Sequence, residues 1–303
     1  MCKLLKHKPQ NLATMPLPNG VYHIQGRKAP NVVDLGGGLV ADGSPIITWE
    51  RLSLDKSSCL NQLWYVENVR GSEKDYTIVN IRSGTNMVVK SGKDGALVGG
   101  YHHTDNANQQ WTISKPNGSE YFKIQNKAER TFLDIPGGKH VNGIRLHCWH
   151  GGWDEGNINQ LWTFRCHSRT SQEIDKVLND DPNIRHKHSR YLTNGTYFVL
   201  SQAMLREIWN HTGLGNTHWR RQIFDCDDFA IVFKAAVAKW GAENIRANGF
   251  AILCGLMFGR KPGGEVHAYN FTLSDSYHDV EFFEPQKGHF TRHIGYNADL
   301  CYF

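Results

Sequence analysis

The stretch Asn61-Gln62-Leu63-Trp64 decides the fold, because the chain contains it three times. The second copy is Asn108-Gln-Gln-Trp111 and the third is Asn159-Gln-Leu-Trp162. Each copy closes a segment that opens on a short alternating strand: Val21–Ile24, Asp75–Ile78 and Glu120–Ile124. Because one such segment is too small to bury a core, the three must share one. Threefold repetition of short strands therefore predicts a closed all-β assembly in the N-terminal half.

Composition is that of a soluble globular protein with room for two domains. The chain has 303 residues, is 40% hydrophobic and has a mean hydropathy of −0.50. Thirty glycines and nine tryptophans suit an all-β module with tight turns and aromatic binding surfaces. The net charge is +5, and its one basic cluster, Arg185–Arg190, is expected to be a solvated linker. We therefore expect no nucleic-acid partner.

Cysteine spacing and the N-terminus suggest a compartment. The seven cysteines are irregularly spaced and include no Cys-x-x-Cys pair, so neither a disulfide framework nor a structural zinc site is expected. No apolar segment resembles a signal peptide or a transmembrane span. These features predict a cytoplasmic protein in the producing cell.

Two of the repeats share a carboxylate and an indole at one spacing. Asp34 precedes Trp49 by 15 residues, and Asp134 precedes Trp149 by 15 residues. A carboxylate accepts hydrogen bonds from adjacent hydroxyls, while an indole face packs on the C–H face of a sugar. Repeat two has Val88 and Tyr101 near these positions. Since valine cannot bind a hydroxyl, we expect that pocket to be weak or inactive.

Helical periodicity replaces strand alternation after Cys166. This change predicts an N-terminal extension over 1–17, a β domain over 18–166 and a second domain over 167–303. We expect the second domain to be α+β, because its helices come first and its strands follow. The expected helices include Ser171–Leu178, capped by Ser171, and Phe229–Trp240, ended by Gly241. The expected strands are Gly249–Phe258, Val266–Leu273 and Asp279–Glu284.

A set of residues in the second domain suits cysteine catalysis. Cys226 precedes the longest predicted helix, His267 lies in a strand and Glu284 ends another. A cysteine protease needs a thiolate, an imidazole to move its proton and an acceptor that orients the ring. Gln222 is a candidate oxyanion-hole donor. Equally, Cys226 could be an inert buried thiol, His267 a core histidine and Glu284 a solvated carboxylate.

The residues beside Cys226 are acidic. Asp225, Asp227 and Asp228 should raise the pKa of its thiol unless a cation neutralises them. Oxygen-rich sites of this kind suit calcium or manganese. The simpler interpretation is that these carboxylates cap the helix.

The Gln-x-Trp repeats resemble the ricin B-type lectin family, whose fold is a β-trefoil. Four segments of the second domain extend the resemblance to the Marasmius oreades agglutinin-like fungal chimerolectins, in which such a trefoil is joined to a papain-like cysteine protease domain. These segments are Asp225–Ala230, Ala247–Ile252, His267–Asn270 and Phe282–Gln286. The resemblance implies an N-terminal all-β trefoil and a C-terminal α+β papain-like domain.

The resemblance also implies site residues and partners. It implies one sugar pocket at Asp34, Trp49 and Asn61 and another at Asp134, Trp149 and Asn159. It implies a catalytic triad of Cys226, His267 and Glu284, and calcium or manganese bound at Asp227 and Asp228. The expected partners are galactose-containing glycans, sialylated ones included, protein substrates and a second copy in a homodimer.

The leading hypothesis is a defence lectin with metal-dependent cysteine protease activity. The main alternative is a non-enzymatic dimeric lectin whose C-terminal domain serves only dimerisation. A glycosidase is disfavoured, because it needs a carboxylate pair in one cleft and the three-residue offset of Glu281 and Glu284 puts them on opposite strand faces.

Overall fold

The structure, a computed structural model, describes residues 16–27, 30–191 and 195–303. Most of the predicted extension, residues 1–17, lies outside these ranges.

Thirteen strands of the described chain hydrogen-bond into one sheet in the N-terminal half. They are β1 (Gly20–Gly26), β2 (Asn31–Leu35), β3 (Ser44–Glu50), β4 (Trp64–Asn68), β5 (Asp75–Asn80), β6 (Asn86–Val89), β7 (Ala96–Tyr101), β8 (Gln110–Ser114), β9 (Lys123–Asn126), β10 (Phe132–Asp134), β11 (Ile144–Arg145), β12 (His147–Trp149) and β13 (Trp162–Cys166).

The sheet closes on itself as a trefoil. The first strand pairs antiparallel with the last, with Tyr22 opposite Cys166. The third strand of each repeat meets the third strand of a neighbour, through the pairs β3–β7, β7–β12 and β3–β11. Pairing the first strand with the last reduces the free edges of the sheet, which limits edge-to-edge association in a small all-β domain.

The closing tryptophans confirm that the repeats are equivalent in space. In each repeat the buried indole N–H donates to a main-chain carbonyl on the second strand: Trp64 to Val33 at 2.9 Å, Trp111 to Met87 at 2.9 Å and Trp162 to Leu133 at 3.1 Å. Buried N–H groups need such partners, since an unpaired one costs about 1–3 kcal/mol. The three indoles share one apolar core, as the repeat pattern predicts.

Within its described residues, the C-terminal half combines three α-helices with two sheets. Its elements are β14 (Ser168–Thr170), α1 (Ser171–Asp180), β15 (Ile184–Tyr191), β16 (Thr196–Phe198), α2 (Gln202–Thr212), α3 (Cys226–Asn244), β17 (Ala251–Ile252), β18 (Gly255–Arg260), β19 (Val266–Leu273), β20 (Val280–Glu284), β21 (His289–Thr291) and β22 (Asn297–Tyr302). The larger sheet has the order β15-β22-β18-β19-β20-β21, and only β15 and β22 are parallel. No helix in the described residues is long and apolar enough to cross a bilayer.

Three local predictions for this half are wrong. The helix does not end at Gly241: α3 continues to Asn244, because the missing side chain of Gly241 lets Ile252 pack against the helix. Thr170 rather than Ser171 caps α1, through a capping box with Glu173. The predicted strand Gly249–Phe258 is two strands, since β17 and β18 belong to different sheets.

The basic cluster is not a linker. Residues Arg185–Arg190 lie within β15, the outer strand of the larger sheet. The backbone of β15 pairs in parallel with β22, more than a hundred residues later in the chain. Pairing with a strand so far along the chain cannot be predicted from the local sequence around β15.

The two halves share an apolar interface. Val21, Leu60 and Tyr65 of the trefoil belong to the same buried cluster as Phe198 and Phe233 of the C-terminal domain. Polar contacts cross the boundary as well, because the Tyr65 hydroxyl donates to the carbonyl of Gly249 at 3.0 Å. An interface that continues the core of one domain into the other holds the two in a defined orientation.

Candidate functional site

The carboxylate and the indole of repeats one and three lie on one face of a hairpin. Asp34 is opposite Ile47 in the β2–β3 register, and Trp49 is two residues further along. In repeat three Asp134 is opposite His147, and Trp149 again follows by two. Residues two apart on a strand share a face, so the spacing of 15 residues places each pair on one surface.

In repeats one and three, an asparagine from the closing motif packs against a glycine turn that follows the second strand. The side chain of Asn61 lies against Gly38, where any Cβ would overlap its amide. Asn159 lies against Gly138, where a Cβ would be 2.8 Å from its Oδ1. Both glycines also have a positive φ, 61° and 63°, which favours glycine. The structure thus places carboxylate and indole on one face in both repeats, and it holds the amide of the closing motif against the glycine turn that follows the second strand.

The two carboxylates are held differently. Asp134 accepts hydrogen bonds from Asn157 Nδ2 at 3.1 Å and pairs with His147 Nε2 at 3.0 Å. Burial raises the pKa of Asp34, and a hydrogen bond from Gln62 opposes the rise. His147 and Asn157 are supports that the sequence analysis missed, because repeat one has Ile47 where repeat three has His147.

The glutamine of each closing motif supports the loop that follows the aromatic residue. Gln62 donates to the carbonyl of Glu50 and accepts from the N–H of Leu52, both at 2.8 Å. Gln109 and Gln160 contact the corresponding loops. These glutamines are buried, so they support the loops from within the domain.

Repeat two lacks a comparable pocket. Val88 is opposite Gly99, and Tyr101 follows by two, so this pair occupies the positions of Asp34 and Trp49. The valine side chain is buried and offers no acceptor. The ring of Tyr101 is covered by Lys90, whose Nζ is 3.9 Å from the ring centroid. A covered ring without a carboxylate fits the expectation of a weak or inactive site.

Cys226 is the first residue of α3 and packs against Ala230 and Ala268. Its thiol pKa is raised: burial is the largest cause, the charges of Asp225 and Asp227 add to the rise, and a backbone hydrogen bond from Ala268 opposes it. The helix N-terminus therefore does not by itself produce a thiolate here.

His267 and Glu284 form a close pair beside this helix start. Their Nε2 and Oε2 atoms are 2.6 Å apart, and both side chains are nearly nine-tenths buried. Burial acts to raise the pKa of Glu284, but the hydrogen bond and charge of His267 outweigh it and hold the pKa below its ordinary value. With Nε2 engaged, Nδ1 is the ring nitrogen left to exchange a proton.

The structure assembles only part of the predicted triad. Cys226 contacts Ala268, the neighbour of His267 in β19, yet no hydrogen bond within the described residues joins its thiol to the His267 ring. Gln222 is exposed in a turn with a φ of 60°, and its N–H donates to Asp225 Oδ2 at 3.1 Å. Its role as an oxyanion donor stays a prediction.

Acidic residues surround the thiol in a way that fits a cation. Ligand atoms of Asp225, Cys226 and Asp227 lie within 4.8 Å of one another. A hydrogen bond between the carboxyls of Asp225 and Asp227 lowers the pKa of the first and raises that of the second, because two like charges lie side by side. A divalent cation could offset this repulsion. Asp228 lies outside this group, because its Oδ2 caps the helix by accepting the N–H of Asp225 at 3.0 Å.

Two family models cover most of the two domains. Residues 60–149 and 107–197 match the ricin-type β-trefoil lectin domain-like family, and residues 197–290 match the agglutinin C-terminal family. A Polyporus squamosus lectin in complex with Neu5Acα2-6Galβ1-4GlcNAc is 36% identical over 95% of this chain and 99% of its own, with a TM-score of 0.83. The chain belongs to this lectin family.

A second solved structure of similar likeness is a complex of PSL1a with E64. It is 37% identical, covers 95% of this chain and 99% of that chain, and has a TM-score of 0.82. No curated protein sequence matches the chain significantly. The two matching families are thus a ricin-type lectin domain and an agglutinin C-terminal domain.

Proposed function

We propose that this ricin B-type lectin binds galactose-containing glycans through the pockets of repeats one and three. The observation that carries the proposal is that a carboxylate and an indole share one hairpin face in both repeats, with the amide of the closing motif held against the glycine turn after the second strand. Repeat two, with a buried valine in place of the carboxylate, binds weakly or not at all.

Each pocket offers complementary chemistry for a hexose. The carboxylates of Asp34 and Asp134 accept hydrogen bonds from two adjacent hydroxyls, and the nearby Asn amide donates and accepts. Trp149 exposes 42% of its surface, enough to offer its face to the apolar side of a galactose ring. The sialylated galactoside in the Polyporus squamosus complex supports galactose as the core unit and sialylated glycans as ligands.

Removing the charge of both carboxylates is expected to abolish glycan binding. The double variant Asp34→Asn/Asp134→Asn keeps side-chain shape but loses two charge-assisted acceptors, so we expect at least a hundredfold weaker binding, or about 3 kcal/mol. Binding of Galα1-3Gal and Neu5Acα2-6Galβ1-4GlcNAc is measured by calorimetry. The control is Val88→Ile in repeat two, which should bind as the wild type does. Undiminished binding by the double variant would refute the two pockets.

A cysteine endopeptidase is the second candidate function, and one observation favours it. The 2.6 Å contact between His267 and Glu284 orients an imidazole in the strand that Cys226 contacts. The family matches support the lectin more directly than the enzyme. The peptidase is therefore proposed as an added activity, and a lectin whose C-terminal domain serves only dimerisation is the alternative.

The residues could divide the reaction among them. His267 would take the proton of Cys226 on Nδ1 while Glu284 holds Nε2 and stabilises the charged ring. The thiolate would attack a peptide carbonyl, and the imidazolium would protonate the departing amine. Water would then hydrolyse the thioester with His267 as base. The proton transfer would require the Cys226 thiol to come within hydrogen-bond distance of His267 Nδ1.

Calcium or manganese fits the acidic residues at this helix start. Asp225 and Asp227 would supply oxygen ligands, with Asp228 beside them in the helix cap. Bound there, the cation would offset the negative charge that raises the thiol pKa of Cys226. Gln222, one turn before the helix, would be repositioned through its hydrogen bond to Asp225.

Substitution of the thiol separates the two functions. We expect Cys226→Ala to lose all cleavage of casein in calcium or manganese and to keep glycan affinity within about twofold, because the sugar pockets lie in the other domain. Cys166→Ala, which removes a half-buried free thiol of the trefoil, should retain both activities. Labelling of Cys226 by the thiol-reactive epoxide E64 would depend on the metal and stop after chelation.

The opposite outcomes have defined meanings. Equal cleavage by Cys226→Ala would remove the triad from the proposal. No cleavage by the wild type at any pH or metal concentration, with glycan binding intact, would establish the non-enzymatic alternative. A homodimer formed through the C-terminal domain belongs to both versions and is supported by the exposed apolar side chains of Ile231 and Val232 on α3.

A further inference from the structure

The aromatic residue of each repeat is bracketed by a turn from a neighbouring repeat. The N–H of Gly95 in repeat two donates to the carbonyl of Cys148 at 3.0 Å, just before Trp149. The Asp94 carboxylate accepts the N–H of His150, just after Trp149, at 2.7 Å. One turn therefore fixes the backbone on both sides of the indole.

The same bracket recurs around Trp49. The N–H of Gly143 in repeat three donates to the carbonyl of Thr48 at 2.8 Å. Asn142 Oδ1 accepts the N–H of Glu50, also at 2.8 Å. Asn142 and Asp94 therefore accept equivalent backbone N–H groups, although the asparagine oxygen is neutral and the aspartate oxygen is charged.

The turn glycines also lie against the rings. A Cβ on Gly95 would be 3.8 Å from Cζ3 of Trp149, and one on Gly143 would be 4.0 Å from Cζ3 of Trp49. Their φ angles are 81° and 83°, so the turn needs glycine for its backbone. Each ring thus packs beside a turn that its own repeat does not supply.

We propose that these turns are positioning elements that act across repeats, so that the pocket of repeat three depends on Asp94 and the pocket of repeat one on Asn142. The inference rests on the proposed glycan binding at those pockets. An indole contributes to sugar binding only while its face is held parallel to the ring it covers. A substitution in the turn of one repeat therefore lowers the glycan affinity of the pocket in the neighbouring repeat.

Repeat two supplies an internal control. The Asp42 carboxylate accepts the N–H of His102 at 2.8 Å, and the N–H of Gly43 donates to the carbonyl of Gly100 at 2.9 Å. This third bracket surrounds Tyr101, whose pocket has no carboxylate. Asp42→Ala therefore loses the same hydrogen bonds as Asp94→Ala without touching a working pocket.

Single-pocket variants test the proposal. Asp34→Asn leaves only the pocket of repeat three, and Asp134→Asn leaves only that of repeat one. In the first background, Asp94→Ala should weaken binding about tenfold, as expected for the loss of a charge-assisted hydrogen bond, while Asn142→Ala and Asp42→Ala leave it unchanged. In the second background, Asn142→Ala alone should weaken it. Asp94→Asn should restore binding to within about threefold, since Asn142 performs this task naturally.

Affinities for Galα1-3Gal and Neu5Acα2-6Galβ1-4GlcNAc are measured by calorimetry, with melting temperatures alongside. Unchanged affinity of Asp94→Ala in the Asp34→Asn background would overturn the proposal. Equal weakening of both pockets by either turn variant, in step with a lower melting temperature, would also overturn it, because the turns would then be general structural elements. A wild type that binds neither glycan would instead refute the proposed function itself.

Discussion

Acidification from pH 7 to about 4.5 is expected to destabilise the folded protein strongly, because two buried imidazoles must remain neutral where the domains meet. His23 of the trefoil pairs through Nδ1 with Nε2 of His167 at 2.8 Å, and His167 Nδ1 contacts the hydroxyl of Tyr277 at 2.8 Å. Both histidines are only 1% exposed. Protonation of either ring puts an uncompensated charge into this chain of hydrogen bonds.

Burial is the main cause of low pKa values here. It lowers the pKa of His23 to about 3 and that of His167 to about 2, with further contributions from Arg51 and Arg165. A base with a depressed folded pKa takes up its proton more readily when unfolded. The free energy of unfolding therefore keeps its full value above the pKa of an unfolded-state histidine, about 6.5, and falls as the pH drops below that pKa. At pH 4.5 the loss is about 3 kcal/mol for each imidazole.

Urea unfolding between pH 7.5 and 4.5 measures this loss. His23→Gln/His167→Gln should lower stability at pH 7 but flatten its decline with acid. The control His103→Gln alters an exposed histidine and should keep the wild-type slope. A wild-type slope in the double variant would show that acid acts elsewhere.

A methyl group at Gly255 is expected to destabilise the C-terminal domain by about 3 kcal/mol, near the upper end for overpacking a core. Gly255 lies opposite Phe271 in the β18–β19 register, and any Cβ there would overlap the phenylalanine ring. Phe271 is 1% exposed and packs edge-on against Phe303, so it has little room to move.

The overlap should reach the candidate catalytic helix. Asn270 Nδ2 donates to the carbonyls of Gly255 and of Ala230 in α3, at 3.2 and 2.9 Å. Displacing β18 would therefore disturb the contact that holds α3 on the sheet. Denaturant unfolding of Gly255→Ala is compared with Gly195→Ala, where no atom lies within 4 Å of the added Cβ. We expect the control to stay within about 0.5 kcal/mol of the wild type; equal stability of the two variants would contradict the packing argument.

The fold was predictable where the sequence repeats and less so where it does not. Three Gln-x-Trp motifs indicate a shared core, because only a buried position repeats its tryptophan in phase. By contrast, the sequence predicted a helix end at Gly241. The glycine is needed there because Ile252 packs against it, and this tertiary contact cannot be inferred from the local sequence. The strand at Arg185–Arg190 was missed for the same reason: its partner, β22, lies far along the chain.

The sites show the same limit. Sequence spacing places Asp34 with Trp49 and Asp134 with Trp149, because hairpin registers are local. Contributions from other repeats were missed, although Asp42-Gly43, Asp94-Gly95 and Asn142-Gly143 recur in phase and were a readable signal. Near Cys226 the sequence indicated an acidic cluster, but it did not indicate which carboxylates cap the helix and which lie beside the thiol. Asp225 and Asp228 form the capping box of the helix, while Asp225 and Asp227 lie together with the thiol.

The threefold arrangement also bears on valence. A rotation of roughly one third of a turn about the trefoil axis relates the pockets of repeats one and three, so they face different directions. A chain attached to a flat membrane by one pocket holds the other away from that surface, where it is open to a second membrane. If both proposed pockets bind glycans, bridging two cells would require only one chain, and pairing of chains would add avidity to that bridge.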